Sequence, residues 1–146
     1  MSYTRAYYHI VIATYKRRKV LDLEMHEAIF SYLDGILQNL NCHLFAIGGY
    51  TDHIHLAIDL HPSVSLAELI KTLKIPSGKF MKKKLFLPGF EKWGVGYYAA
   101  TFSYKELESK KAYIRNQIEH HSKVSFSDEI KDFLRKNNIE FNPDYI

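Results

Sequence analysis

Two histidines stand two residues apart in Thr51-Asp52-His53-Ile54-His55-Leu56, inside an apolar run that extends from Ala46 to Leu60. In a strand, residues i and i+2 project from the same face. His53 and His55 would therefore stand side by side, with Ile54 and Leu56 turned into the opposite layer. Two imidazoles on one face of a rigid strand are a ready pair of metal ligands. Further along, Tyr113-Ile114-Arg115-Asn116-Gln117 lies in a helical pattern, and Tyr113 and Gln117, at i and i+4, share one helical face. Gln117 can give a carbonyl oxygen to a metal, and Tyr113 a phenolic nucleophile. The run continues Ile118-Glu119-His120-His121, which holds more ligand-type side chains. Each group also has a structural explanation. A strand histidine is commonly satisfied within the fold, and a helix tyrosine commonly packs on a sheet.

The elements that must position these groups can be read along the chain. Arg5 to Thr14 is rich in β-branched and aromatic residues and reads as a strand. Tyr7, His9, Val11 and Ala13 fall on one face, and Tyr8, Ile10, Ile12 and Thr14 on the other. Both faces are apolar, so the strand is central. Lys16, Arg17, Arg18 and Lys19 follow as four consecutive cations, either a solvated loop or a phosphate contact. Asp22 caps a helix whose apolar positions from Ala28 to Leu40 keep the 3.6-residue period. Cys42 to Tyr50 and Asp52 to Leu60 are the second and third strands, paired as a hairpin through Gly49-Tyr50-Thr51. Ser65 and Glu68 form a capping-box pattern that opens a helix. Pro76 is expected to kink or break it, with Phe80 to Lys84 resuming as a basic end that carries Lys82, Lys83 and Lys84. Leu85 to Gly94 reads as a loop, Val95 to Tyr104 as the fourth strand and Lys105 to about Ser122 as the helix bearing Tyr113. Ser125-Phe126-Ser127-Asp128 offers a cap for a last helix from Glu129 to Lys136, and the tail from Phe141 has no clear structure. The order β-α-β-β-α-β-α-α predicts an α+β, ferredoxin-like (RRM-like) fold: an antiparallel sheet with helices on one face.

A chain of 146 residues predicts a single domain, 1–146. Cys42 is the only cysteine, which excludes an internal disulfide and a cysteine-built zinc site. The N-terminal residues lead straight into a strand-like run without a signal-peptide core, and no apolar run is long enough to span a bilayer. The expectation is a soluble, cytoplasmic protein with no membrane partner. A net charge of +4 favours a polyanion. Tyrosines interleaved with Lys and Arg suit stacking on unpaired bases, while the phenylalanines are assigned to the core. There is no G-x-x-x-x-G-K-[ST] phosphate loop.

With these motifs in place, the sequence resembles the single-tyrosine HUH transposases, which move bacterial insertion sequences as single-stranded DNA. His53-Ile54-His55 matches the His-hydrophobe-His signature, and Tyr113 to Gln117 matches the Tyr-x-x-x-Gln helix. The basic stretch after the first strand, Gly48-Gly49 before the histidine strand and Trp93 before Gly96-Tyr97-Tyr98 look alike too. The resemblance covers roughly Tyr7 to Phe133. It implies a divalent cation, Mg²⁺ or Mn²⁺, held by His53, His55 and Gln117. It also implies that Tyr113 attacks DNA to form a 5′-phosphotyrosine and free a 3′-OH. The family implies a homodimer acting on single-stranded DNA with hairpin ends, and it leaves open whether Tyr113 completes the site of its own chain or of its partner. Lys16, Arg17, Arg18, Lys19, Lys82, Lys83 and Lys84 are the candidates for DNA backbone contacts. The Glu119-His120-His121 run is outside the minimal motif and receives no role. The competing readings are a non-catalytic module stacking bases on Tyr7, Tyr97 or Tyr98, as RRM domains do, and a domesticated relative that keeps the nuclease chemistry for a host task.

Overall fold

The computed structural model describes residues 2–146. Its sheet is laid out from the histidine strand. β3 (His53–Asp59) lies between β2 (His43–Gly49) and β1 (Tyr7–Ala13), and β4 (Tyr98–Thr101) adds to the far side of β1. All neighbours are antiparallel, in the order β2-β3-β1-β4. The register opposes Val11 to His55 and Ala13 to His53. Alternation then sorts the side chains as expected. Ile10, Ile12, Ile54, Leu56 and Ile58 enter the main core, while His9, Val11, His53 and His55 face the other way. This is the α+β, ferredoxin-like arrangement expected from the element order.

Helix α1 (His26–Asn39) and helix α2 (Leu66–Lys83) cover the aliphatic face, with Ile29, Leu33, Leu37, Leu69, Ile70 and Leu73 buried against it. A short 3-10 turn, capped by Asp22, leads into α1. Contrary to the expected break, α2 continues through Pro76. The lost amide bond and ring clash cost roughly 3 kcal/mol. Burial of Leu69, Ile70, Leu73 and Met81 along both halves returns about 1.5–3 kcal/mol per side chain and outweighs it. Just past the proline, the Ser77 hydroxyl donates to the Leu73 carbonyl and accepts the Trp93 indole N–H at 2.9 Å.

The C-terminal third supplies a second layer on the histidine face, so helices cover both faces of the sheet rather than the one face expected, because that face carries its own apolar residues Val11, Ala46 and Ala57. α3 (Leu107–Arg115) and the single turn α4 (Gln117–His120) lie over β2 and β3, and α5 (Phe126–Lys136) lies over β1 and β4. The expected continuous helix over Lys105 to about Ser122 is interrupted at Asn116 (φ −99°, ψ 23°). Asparagine competes locally with helical hydrogen bonding. The break turns Gln117 inward while Ile114 stays seated on the sheet. No helix among the described residues is long and apolar enough to cross a membrane.

Gly48 sets how near α3 can come. A Cβ built there would lie 1.9 Å from the Ile114 carbonyl oxygen, so only glycine admits this approach. Gly35, inside α1, has nothing within 4 Å of its would-be Cβ. Replacing Gly48 by alanine should destabilise the protein by about 1–3 kcal/mol through overpacking. Gly35→Ala should stabilise it by about 0.5–1 kcal/mol. Urea unfolding of the two variants checks this, and a Gly48→Ala protein as stable as the parent would contradict the close seat of α3.

Candidate functional site

The two histidines are held by partners on their far nitrogens. His53 Nδ1 lies 2.7 Å from Asp52 Oδ1 and His55 Nδ1 lies 2.8 Å from His9 Nε2. All of these side chains are buried, Asp52 included. Asp52 is itself anchored, since its carbonyl accepts from the Thr14 amide and hydroxyl. The near nitrogens point away from the strand toward the second layer. His53 Nε2 lies 3.0 Å from Gln117 Oε1, which brings the predicted pair and the predicted glutamine together within one chain. Against the face of the His53 ring, the Phe126 ring stacks at 4.0 Å between centroids, and the Arg17 guanidinium sits 4.9 Å from the centre of that same ring.

Glu129, on α5, occupies the middle of the cluster at 4% exposure. Its Oε1 lies 3.3 Å from His53 Nε2, 3.1 Å from His55 Nε2 and 3.0 Å from His121 Nε2. Its Oε2 accepts the Tyr113 hydroxyl and, at 3.0 Å, the Gln117 amide N–H. His121 Nε2 is also 2.9 Å from Gln117 Oε1, and its Nδ1 donates to the Val124 carbonyl at 2.9 Å. His120 Nε2 is 3.2 Å from Glu129 Oε2 but lacks hydrogen-bond geometry. Tyr113 and Gln117 thus converge through a shared carboxylate rather than along one unbroken helix.

The electrostatics follow from this crowding. Burial alone would raise the Glu129 carboxyl. Hydrogen bonds from His121, His53 and His55 overcome that and hold it well below the usual carboxylate range. Burial pulls His53 down, but hydrogen bonds to Asp52, Glu129 and Gln117 outweigh it and lift the imidazole to about 9. His55 is lowered to about 4, chiefly by complete burial. Burial, then the hydrogen bond to Glu129 and its charge, push the Tyr113 phenol well above its ordinary value.

His53 and His55, with Glu129, form a set whose ligand atoms lie close enough to share one cation. The donors suit a hard or borderline divalent ion: imidazole nitrogens, an amide oxygen and a carboxylate. A cavity of about 520 Å³ opens beside Tyr113, lined by His9, Ser109, Lys110, His120, Glu129 and Asp132 among others. A larger hollow near the N-terminus, at Arg5 and His61, shares no residue with this cluster.

The predicted cations divide between the two layers. Lys16 and Arg17 sit in a 3-10 turn with positive φ (55° and 53°), and Arg17 donates to the Tyr98 hydroxyl. Lys16 and Arg18 lie about the Tyr15 ring together with Lys92, and Lys19 is exposed. Through Phe126, Arg17 alone of these reaches the histidines. Lys82, Lys83 and Lys84 are exposed at the end of α2, in the layer on the opposite side of the sheet. The stacking platform required by the RRM-type alternative is covered by α3 to α5. Tyr7 is wedged between Phe45 and Phe102, Tyr98 packs with the α5 cluster, and Tyr97 alone of the three is exposed.

Sequence reasoning assigned nothing to Glu129, His9, Asp52 or Phe126. Glu129 had a readable sign. It falls in the middle of the apolar stripe Phe126, Ile130, Phe133, Leu134 of a strongly amphipathic helix, where a carboxylate belongs only if partnered. His9 likewise shares the predicted face of β1 with Val11, opposite the histidine strand.

Residues 2–117 match the family model described as "Transposase IS200 like". Transposases for insertion sequence element IS200 from Salmonella typhimurium and Salmonella typhi are each 29% identical over 117 residues, spanning 77% of this chain and 76% of the relative. A candidate transposase of Deinococcus radiodurans R1 superposes with a TM-score of 0.62 at 25% identity, over 80% of this chain and 93% of that one. A REP-associated tyrosine transposase bound to a REP hairpin shares the fold, with a TM-score of 0.61 at 14% identity over 100% of this chain and 88% of that one.

The two imidazole shifts set the pH dependence of the metal-free protein. From about 6.5 to about 9 the folded chain keeps a proton on His53 that the unfolded chain releases, so stability falls as pH rises. From about 6.5 down to about 4 the unfolded chain protonates His55 and the folded chain does not, so stability falls as pH drops. Thermal melts in EDTA should therefore show the highest Tm near pH 6.5. A Tm that climbs steadily between pH 6.5 and 9 would contradict the buried His53 imidazolium.

Proposed function

This chain belongs to the IS200-like transposase family, and from that premise we propose that it cuts and rejoins single-stranded DNA through a 5′-phosphotyrosine on Tyr113. The observation that carries this reading is the convergence of Tyr113, His53, His55 and Gln117 on one buried carboxylate within a single chain.

His53, His55 and Gln117 are the residues assigned to hold Mg²⁺ or Mn²⁺. When bound, such an ion supplies Lewis-acid polarisation of a scissile phosphate. Their fit rests on the donor chemistry already described and on second partners that fix the imidazoles. The remaining work falls to the chain itself. Glu129 Oε2, which accepts the Tyr113 hydroxyl, orients it; the hydroxyl oxygen attacks phosphorus and its proton passes to water. The P–O3′ bond breaks, and the leaving 3′-oxygen takes up a proton to become a 3′-OH. Attack by the 3′-OH of another strand reverses the step, rejoins DNA and releases Tyr113 without a nucleotide cofactor. The raised Tyr113 phenol keeps the resting nucleophile protonated. Ionisation is thereby confined to the assembled complex with substrate.

For DNA, Lys16, Arg17, Arg18 and Lys19 are assigned to the phosphate backbone beside the site, and Lys82, Lys83 and Lys84 to a second patch on the other layer. A hairpin-ended single strand is the proposed substrate, in line with the hairpin bound by the REP-associated structure. Each protomer of the proposed homodimer carries a full set of these groups.

The test is a covalent-adduct assay with Mn²⁺ and single-stranded oligonucleotides from the element ends, read on a denaturing gel. Wild type should form a protein–DNA adduct, Tyr113→Phe none, and His53→Ala at least about a hundredfold less. An adduct that survives Tyr113→Phe would sink the nucleophile assignment. Unchanged Mn²⁺ dependence in His53→Ala would sink the metal assignment.

A further inference from the structure

The histidine cluster holds more donors than the two family signatures account for. The Nε2 atoms of His53, His55 and His121 all converge on Glu129 Oε1, and those of His53 and His121 also on Gln117 Oε1; Glu129 is common to two ligand sets, one with His53 and His55 and one with His120 and His121. Contacts among them run from 2.9 to 3.3 Å. Ligands about 2.1 Å from a cation and at right angles to each other are roughly 3.0 Å apart, so these imidazole–oxygen spacings match those between neighbouring ligands of one cation.

Tautomers support the same conclusion. His53 Nδ1 faces a carboxylate and His121 Nδ1 faces the Val124 carbonyl, neither of which can donate. Both nitrogens therefore carry a hydrogen, so Nε2 is the atom through which each ring meets the cluster and the atom it would offer to a cation. There, the Nε2 atoms of His53 and His121 meet only oxygen acceptors, Gln117 Oε1 and Glu129 Oε1. Oxygens and imidazoles gathered in this way call for positive charge between them, supplied by an Nε2 proton in the metal-free chain, as on His53, and by a divalent cation when that proton is displaced. The Val124 carbonyl does for His121 what Asp52 does for His53: it orients a ligand from behind.

We infer that His121 and Glu129 are ligands of the catalytic cation alongside His53, His55 and Gln117, so that the C-terminal helix of the same chain completes the metal centre. The inference rests on the metal-dependent reading above. Both residues lie beyond the segment that matches the family model, which ends at residue 117. Glu129 contributes what two neutral imidazoles and an amide lack, a negative charge next to the ion, and a carboxylate favours hard divalent cations. Its second oxygen remains on the Tyr113 hydroxyl, so one side chain couples the ion to the nucleophile.

The experiment is Mn²⁺ titration of the full chain without DNA, by calorimetry, with circular dichroism in EDTA to confirm folding. His53→Ala should lose binding. Glu129→Gln and His121→Asn should each weaken the Mn²⁺ Kd by at least about tenfold, and the exposed Glu108→Gln should leave it unchanged. If His53→Ala abolishes binding while Glu129→Gln and His121→Asn bind like wild type, the added ligands are refuted and the metal-dependent reading stands. If His53→Ala binds like wild type, that reading fails as well. Should either new variant not fold, a wild-type crystal soaked in Mn²⁺ decides the matter. An anomalous peak within about 2.3 Å of Glu129 Oε1 and His121 Nε2 supports the assignment, and a peak near His53 and His55 but away from Glu129 and His121 overturns it.

Discussion

A carboxylate taken out of water costs several kcal/mol unless its lone pairs are met. In this protein Glu129 sits at 4% exposure, on the apolar face of α5. Its two oxygens are met by imidazoles from β3 and from the turn after α4, by the Gln117 amide and by the Tyr113 hydroxyl. The three helical segments of the C-terminal layer thus share one electrostatic anchor, and that anchor lies against the histidine strand. Phe126, Ile130, Phe133 and Leu134 hold α5 in place at about 1.5–3 kcal/mol each. That apolar burial makes a buried carboxylate tolerable, while the carboxylate sets the register of the helix over the sheet.

The sheet divides labour between its two faces. The side packed by α1 and α2 is almost wholly aliphatic and tolerates even a proline inside a helix. The other side is built for approach rather than for volume. Ala46 and Ala57 are small, and Gly48 has no side chain at all, so the α3 backbone comes down onto β2. A larger residue at position 48 would lift Ile114, and with it Tyr113 and Gln117, away from the histidines. The rigid face positions the imidazoles, and the close seat of α3 brings Tyr113 and Gln117 to them.

The alternation in Tyr7 to Thr14 and in His53 to Asp59 was legible because strand periodicity is a property of the local backbone. It correctly separated Ile54 and Leu56 from the histidines. The hairpin, the Ser65 cap and the α+β ferredoxin-like order were legible for the same reason. Pro76 misled because its local penalty is outweighed by burial that only the packed core supplies. Asn116 misled because a one-residue break leaves the apolar period on either side almost intact.

By itself the sequence determined the strand that presents His53 and His55, the helical stretch that bears Tyr113 and Gln117, and a likeness to transposases that the family match bears out. These depend on spacing within one element, and spacing is written in the chain. Only the tertiary structure decided that Glu129, His121, His9 and Asp52 surround them. Glu129 lies 74 residues from His55 in sequence and 3.1 Å from it in space. No local pattern encodes that meeting. It follows from two layers closing on one sheet, with Gly48 on one side and the apolar stripe of α5 on the other bringing the groups within reach.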